Sequence, residues 1–234
     1  KNILLAKDNF RNLDKVLASL KIEKINGALF DIGASSSQID EFGRGFSFQK
    51  DEPLLMTMKT ETKPDDLTAK EIINDWNEKD LADIIWRYGE ERFSRKIAKN
   101  IVRRRKQKTI ETTAELVDVI KKSVPSFYRN SRKINCATRT FQALRIAVND
   151  ELGALEEGLR KVWSFLGEGG RLAVISFHSL EDRIVKNYFK DVATKSEGKI
   201  ITKKPLTPTK EERKNNSRSR SAKLRAIEKY DQSH

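Results

Sequence analysis

The sequence predicts an α/β fold: an open sheet of buried parallel strands, interrupted by an inserted helical domain. Three observations predict it. Ala28-Leu-Phe-Asp31 and Leu172-Ala-Val-Ile-Ser-Phe177 are continuous apolar runs, the pattern of strands covered on both faces. An amphipathic stripe of Leu144, Val148, Leu152, Leu155, Leu159, Trp163 and Leu166 leads into the second run, as a crossover helix would. Between the two runs, residues 66–132 form a polar block with helical periodicity, which reads as an insertion.

Each element has its own warrant. Ile3 to Ala6 is a short apolar run that reads as a strand. Leu13, Val16, Leu17 and Leu20 fall at i, i+3, i+4 and i+7, a helix over 13–20 with Asn12 as N-cap. Asn26-Gly27 marks a turn before the first buried strand. Residues 32–60 are rich in Ser, Gly and Phe and follow neither period. Loops of that length are uncommon unless functional or disordered. In the helical block, Thr68-Ala-Lys-Glu71 and Thr112-Thr-Ala-Glu115 each fit a capping box. Leu81, Ile84, Ile85 and Tyr88 share a face, Gly89 ends or bends that helix, and Phe93, Ile97 and Ile101 line the next. The stripe over 137–166 predicts one long helix, stopped by Gly167-Glu-Gly-Gly170. Ser179-Leu-Glu-Asp182 reads as a further capping box, opening a helix to Phe189. From Ile200 a short strand precedes Pro205 and Pro208, then a stretch rich in Ser, Arg and Lys.

Composition narrows the function. Lys and Arg number 47 against 34 Asp and Glu, a formal net charge of +13 over 234 residues. Such a surplus points to a polyanion, most simply nucleic acid. The 37% hydrophobic share suffices for a core and excludes wholesale disorder. No apolar run approaches the roughly 18 residues of a membrane span, so no membrane partner is expected. The single cysteine, Cys136, excludes an intramolecular disulfide framework and a Cys-based zinc cage. The positive charge is clustered. Arg92 to Lys108 holds nine Lys/Arg in seventeen residues, and Lys203 to Lys229 holds ten against three acids. Ser217-Arg-Ser-Arg-Ser221 sets hydroxyls beside the guanidinium groups of Arg218 and Arg220, a chemistry suited to phosphates. A solvated helix and a disordered tail are the plainer alternatives.

Ligands of open α/β sheets bind beyond the carboxyl ends of the strands. Two polar segments meet that condition: Asp31-Ile-Gly-Ala-Ser-Ser-Ser-Gln38 and His178-Ser-Leu-Glu-Asp182. Asp31 can accept hydrogen bonds from a ligand's amino or hydroxyl groups, or cap the turn after its strand. Ser35, Ser36 and Ser37 can form an anion nest or a polar turn. His178, the only internal histidine, is either a site residue or a hydrogen-bonded structural one. No second His or Cys stands at ligand spacing, so no metal is expected. There is no G-x-S-x-G elbow for a serine nucleophile, and neither G-x-G-x-x-G nor Walker A for phosphates.

Longer blocks carry a resemblance. Asp31-Ile-Gly-Ala-Ser-Ser-Ser-Gln-Ile-Asp40 with Arg44-Gly-Phe-Ser-Phe48, Tyr88-Gly-Glu-Glu-Arg-Phe93 and Ala137-Thr-Arg-Thr-Phe-Gln-Ala-Leu-Arg145 are similar to blocks of the MraW (RsmH) methyltransferase family. So are Val148-Asn149, Glu151-Leu152, Val174-Ile-Ser-Phe-His-Ser-Leu-Glu-Asp-Arg183 and Arg218-Ser-Arg-Ser-Ala-Lys-Leu-Arg225, in the same order along nearly the whole chain. The resemblance implies a Rossmann-like class I methyltransferase domain over 1–65 and 133–234, and a helical domain over 66–132 for RNA recognition. It implies transfer of a methyl group from S-adenosylmethionine to the N4 amino group of a cytidine in the decoding region of small-subunit (16S) rRNA, in the cytoplasm. Phe10, Asp31 and Gln38 would hold the cofactor, Phe10 by stacking on the purine and Asp31 by accepting its amino group. Ser35, Ser36, Arg44, Phe46, Arg139, His178, Arg218 and Arg220 are the candidates on the substrate side. Phe46 and Phe48 can stack against the target base or pack the loop. No residue is assigned as general base.

The resemblance also implies an upstream segment with a first strand and a Gly-Gly-His loop for the methionine end of the cofactor; without it, weak cofactor binding is expected. The family's Gly-Pro-Leu-Asp-Met-Arg-Met-Asp block reads Glu52-Pro-Leu-Leu-Met-Thr-Met-Lys59 here, with Leu55, Thr57 and Lys59 replacing two acids and an arginine. Cytosine N4 is a weak nucleophile, and the Pro-Pro motif many amino methyltransferases use to hold such a nitrogen is absent. A non-catalytic RNA-binding relative, or an inactive fragment, is therefore the second function class.

Overall fold

The computed structural model describes residues 3–33, 43–59, 61, 63, 65–130 and 135–230. A 3-10 turn, Phe10–Asn12, leads into α1 (Leu13–Ser19) and then β1 (Ile25–Asp31). There follow α2 (Ala69–Asp75), α3 (Glu78–Arg87), α4 (Ser94–Arg105), α5 (Thr113–Ser123), α6 (Ser126–Asn130) and α7 (Thr138–Asn149). The chain continues through α8 (Glu151–Phe165), β2 (Leu166–Ser176), α9 (Ser179–Thr194), β3 (Gly198–Ile200), α10 (Lys210–Asn215), a 3-10 turn (Ser217–Ser221) and β4 (Lys223–Lys229). Two compact units result: residues 1–33 with 152–234, and residues 34–151.

The first unit holds a mixed sheet in the order β1-β2-β4-β3. β1 and β2 are parallel, with Phe30 opposite Val174 and Asp31 opposite Ile175, so the two apolar runs pair as the sequence predicts. β4 runs antiparallel to both β2 and β3. The core gathers Phe30, Leu172, Val174 and Ile227 from the strands with Leu155, Leu159, Val162 and Trp163 from α8 and Val185, Phe189 and Val192 from α9.

Six expectations for this unit change. Asn26-Gly27 is not a turn but lies within β1, at the register shift between Ile25 and Gly27. β1 is not covered on both faces: only Phe30 is buried, and Leu29 is 63% exposed. Ile3 to Ala6 is not a strand: Ile3, Leu4 and Leu5 are exposed and pair with no described strand, and a short apolar run has no stability without a ladder partner. Asn12 makes no capping bond; Asn9 does, accepting from the Arg11 N–H at the 3-10 turn. Gly167 to Gly170 lie within β2, where the register jumps from Ile25↔Leu166 to Gly27↔Arg171. Gly169 turns that excursion at φ 68°, and a Cβ on Gly170 would lie 2.7 Å from the Gly167 carbonyl oxygen. The charged tail is ordered through Tyr230 and contributes β4, whose Arg225 and Ile227 are buried.

The second unit is helical. Its core joins Ile72 and Ile73, Leu81 and Ile85, Ile97 and Ile101, Leu116 and Ile120, and Phe141 and Leu144. The Thr68 box is complete: the Glu71 carboxylate accepts from the Thr68 N–H at 2.6 Å. The Thr112 box is one-sided. Its hydroxyl accepts from the Glu115 N–H, but the Glu115 carboxylate turns to the Glu111 N–H and Lys108. This unit runs past 66 and 132 in both directions. Leu54 and Met56 are fully buried in its core, Phe46 and Phe48 pack on it, and α7 supplies Phe141 and Leu144. The long helix expected over 137–166 is two helices. Asp150 adopts the left-handed conformation at φ 47°, ψ 46°, and ends α7 while the apolar stripe continues into α8. Among the described residues no helix is long and apolar enough to cross a membrane.

Candidate active site

In the sheet unit, the parallel pairing sets the carboxyl ends of β1 and β2 side by side. Ile32 extends the ladder by donating to the Ile175 carbonyl at 3.1 Å. Asp31 ends β1 exposed, and its carboxylate takes no hydrogen bond from a described residue. Phe10 is half-buried. Its ring lies 5.4 Å from that of Phe30, tilted by 42°. Gly158 of α8 makes room for it: a Cβ there would sit 2.7 Å from the ring. Gln38, Ser35 and Ser36 lie outside the described residues.

At the end of β2, His178 is the N-cap of α9, one residue before the serine the sequence pointed to. Its Nδ1 accepts from the Glu181 N–H at 3.3 Å. The Glu181 carboxylate returns the bond, accepting from the N–H groups of Phe177 at 2.8 Å and His178 at 3.2 Å. Nε2 lies 3.1 Å from Glu181 Oε1 but out of line for a hydrogen bond. The imidazole is thus committed to the strand-to-helix turn, a positioning role. Asp182, next on the helix, meets β4: Oδ1 accepts from Arg225 Nε at 2.7 Å, and Oδ2 accepts from Arg225 Nη2 at 3.3 Å and Lys223 Nζ at 3.0 Å. Burial acts to raise the Asp182 carboxyl, but the bonds from Arg225 and Lys223 outweigh it and hold the group below its ordinary value. His178→Ala is expected to lower stability by about 1 kcal/mol, with His178→Asn recovering most of it, since Asn is a strong cap. Urea titration of the three proteins checks this; equal midpoints would mean the cap carries no weight.

The helical unit positions the remaining candidates. Arg44 donates from Nη1 to the carbonyls of Thr57, at 3.3 Å, and Lys59, and its own carbonyl accepts from the Met56 N–H at 2.7 Å. Asn149 closes the same segment, accepting from the Met58 N–H at 2.8 Å and donating to the Met56 carbonyl at 2.7 Å. Met56 is held there at φ 53°, a backbone state costly for a side-chain-bearing residue. Glu52, standing where the resembled family has glycine, is a fold contact: its carboxylate accepts from the Gly45 N–H at 2.9 Å. Phe46 is half-buried against the helical core, and Phe48 makes an edge contact with Phe141 at 5.1 Å. Arg139 donates to the Glu90 carbonyl and Gln142 to the Tyr88 carbonyl at 3.0 Å, which ties α7 to the turn after α3. A Cβ on Gly89 would lie 2.5 Å from the Arg139 carbonyl oxygen, so that turn admits only glycine. Arg218 and Arg220, in the sheet unit, are exposed on the 3-10 turn, flanking buried Ser219.

Asn149, Glu181, Asp182 and Arg225 position the site region and were not singled out individually from the sequence. Glu181 and Asp182 lie in a polar segment that directly follows an apolar run, whereas Asn149 and Arg225 belong only to blocks that carry the resemblance.

The model of the MraW methylase family matches residues 1–230. Proteins named ribosomal RNA small subunit methyltransferase H are similar over most of their length. The one from a Sulfurihydrogenibium species is 54% identical, covering 95% of this chain and 74% of its own. Those of Caldicellulosiruptor saccharolyticus, at 51%, and Petrotoga mobilis, at 50%, each cover 97% of this chain and 77% of their own. The α/β sheet is consistent with a Rossmann-like methyltransferase fold. Matched from its first residue through β4, and half identical to several relatives, the chain belongs to the MraW methylase family.

Proposed function

We propose that this protein is an rRNA methyltransferase that moves a methyl group from S-adenosylmethionine to the N4 amino group of a cytidine in small-subunit rRNA. The observation that carries the reading is the Asp31 carboxylate, exposed at the adjoining ends of two parallel strands and bonded to no described residue. Strand ends of this kind are where open α/β sheets bind nucleotide-like ligands. The donor fits the residues there. Asp31 can accept the adenine amino group, and Phe10, half-buried beside β1, offers an aromatic face, with Gln38 completing the proposed set. When bound, the donor supplies a methyl group on a sulfonium sulfur.

The chain's own residues orient the acceptor. The N4 lone pair is delocalised into the cytosine ring, so the base must be unstacked and its amino group held by acceptors. Residues 56–59 are braced by Arg44 and Asn149, a preorganised stretch that follows the serine-rich block in sequence. Exposed Arg218 and Arg220 suit phosphate contacts, and the helical unit supplies further RNA recognition.

The protein is incubated with tritiated donor and small ribosomal subunits lacking the modification, and the rRNA is digested to nucleosides. Label is expected in N4-methylcytidine; label in another nucleoside, or none, overturns the reading. Asp31→Asn is expected to weaken donor binding by about tenfold, the loss of one charge-assisted hydrogen bond. Thermal stability should not change, because that carboxylate bonds no described residue. Calorimetric titration checks the first and a melting curve the second; an unchanged binding constant would remove Asp31 from the site.

A further inference from the structure

The nine basic residues between Arg92 and Lys108 divide cleanly. Three hold the fold. Arg105 donates to the carbonyls of Ile73 at 2.7 Å and Trp76 at 2.6 Å, Arg104 to the Lys108 carbonyl at 2.9 Å, and Lys108 pairs with Glu115 at 2.7 Å. Five more, Arg95, Lys96, Lys99, Arg103 and Lys106, are exposed. At 100° per residue they fall within a single arc of about 100° on α4, while Ser94, Ile97, Ala98 and Ile101 fill the buried arc. No acid among the described residues forms an ion pair with any of the five. Elsewhere on the surface, two lysines have i,i+4 partners, in Lys122–Asp118 and Lys195–Asp191.

The ninth, Arg92, is held differently. Its guanidinium carbon lies 4.7 Å from the Tyr128 ring centre, 4.8 Å from that of Phe93 and 5.9 Å from that of Phe127. The base of this cage is rigid. Tyr128 is buried, its hydroxyl donates to Glu91 Oε2 at 2.5 Å, and its ring stands edge-on to Phe93 at 4.7 Å. Phe127 is 62% exposed.

We infer that Arg92 and Phe127 form a stacking platform for an unpaired RNA base, and that the exposed face of α4 carries the phosphates of the strand leading to it. This rests on the rRNA methyltransferase reading and gives it a second, separate RNA contact. A guanidinium plane and an exposed aromatic ring are the two surfaces on which single-stranded bases stack. From Arg95 to Lys106 the basic face runs about 16 Å at 1.5 Å per residue. That spans about five phosphates at the 3.4 Å spacing of a stacked strand.

The test is fluorescence anisotropy with a labelled single-stranded oligoribonucleotide of decoding-region sequence and with its duplex. Phe127→Ala is expected to bind the single strand about tenfold more weakly, within the range for losing one base stack, with its salt slope and duplex affinity unchanged. Arg92→Lys should behave alike, because it keeps the charge and loses the plane. The triple change Arg95→Ala, Lys99→Ala and Arg103→Ala should flatten the logarithmic salt slope by about 2, at 0.7 per phosphate contact. If Phe127→Ala and Arg92→Lys both bind the single strand as the parent does, the platform is overturned. If the triple variant also matches the parent, the whole face is. Methyl transfer by the parent is measured on the same preparation. A parent that transfers while the variants bind unchanged sinks this inference alone. A parent that transfers nothing sinks the function reading, and the affinity ratios still decide this one.

Discussion

Arg225→Ala is expected to destabilise the sheet unit by about 3–5 kcal/mol, the usual cost of stranding one partner of a buried ion pair. Arg225 and Asp182 are each only 8% exposed. Without the guanidinium, the Asp182 carboxylate keeps only Lys223 Nζ at 3.0 Å, so the lower end of that range is the better figure. Urea unfolding followed by Trp163 fluorescence, the tryptophan of that unit, measures it. Replacing the pair together with apolar residues, Asp182→Leu with Arg225→Met, should cost far less, because it leaves no buried charge unpaired. The pH dependence has a fixed sign. Asp182 titrates below its ordinary 3.8 when folded, so its contribution is complete above that value and is lost as pH falls through the depressed one. The acid limb of the stability curve should therefore flatten in Arg225→Ala. A loss under 1 kcal/mol with an unchanged acid limb would show that the pair contributes little.

Gly45→Ala should cost about 2–5 kcal/mol, and the reason is steric. Gly45 sits at φ 75°, where an L side chain is disfavoured by about 1–2 kcal/mol. Its Cβ would also lie 2.4 Å from the Pro53 carbonyl oxygen and 3.1 Å from Thr113 Cγ2, so the backbone must move. Gly43 is an internal control. It has φ 57° but nothing within 4 Å of a Cβ, so Gly43→Ala should show the conformational cost alone. The damage at Gly45 reaches the candidate site, because Arg44 beside it braces residues 56–59 and Gly45 N–H bonds Glu52. Denaturation midpoints of the two variants separate the contributions. Equal losses at 43 and 45 would show that the contact with Pro53 has no weight.

The parts that were legible in the sequence are those where one signal dominates. The parallel pairing of β1 and β2 followed from two apolar runs, but cover on both faces did not: β1 buries only Phe30 and leaves Leu29 63% exposed. Thr68 with Glu71 named its own helix start. Asp150 was unreadable as a break because Leu144, Val148, Leu152 and Leu155 continue the stripe across it; the left-handed turn is a backbone event that the side-chain period does not record. β4 was hidden for the opposite reason. Its inward residues are Arg225 and Ile227, and a buried arginine looks like surface until its acid partner, distant in sequence, is known. The cap at His178 was missed by one position, because histidine is not among the usual caps and Ser179 is. The placing of Asp31 at the exposed end of a strand paired with β2 was legible from the two apolar runs. The brace formed by Arg44, Asn149 and the buried Met56 depends on tertiary packing, which no local pattern encodes.

The strand order β1-β2-β4-β3 sets a timetable for synthesis. The helical unit is a contiguous stretch, 34–151, and can close once α7 has left the ribosome. The sheet cannot. β1 is made early, its neighbour β2 comes only after the whole helical unit, and β3 has no described neighbour except β4, which follows it in the chain. Pairings so distant in sequence form slowly, since loop closure must come first. Until β2 is made, β1 therefore lacks the parallel neighbour it has in the folded sheet, and a nascent chain stalled before Lys223 should present a folded helical lobe and a sheet unit still vulnerable to proteases and holdase chaperones.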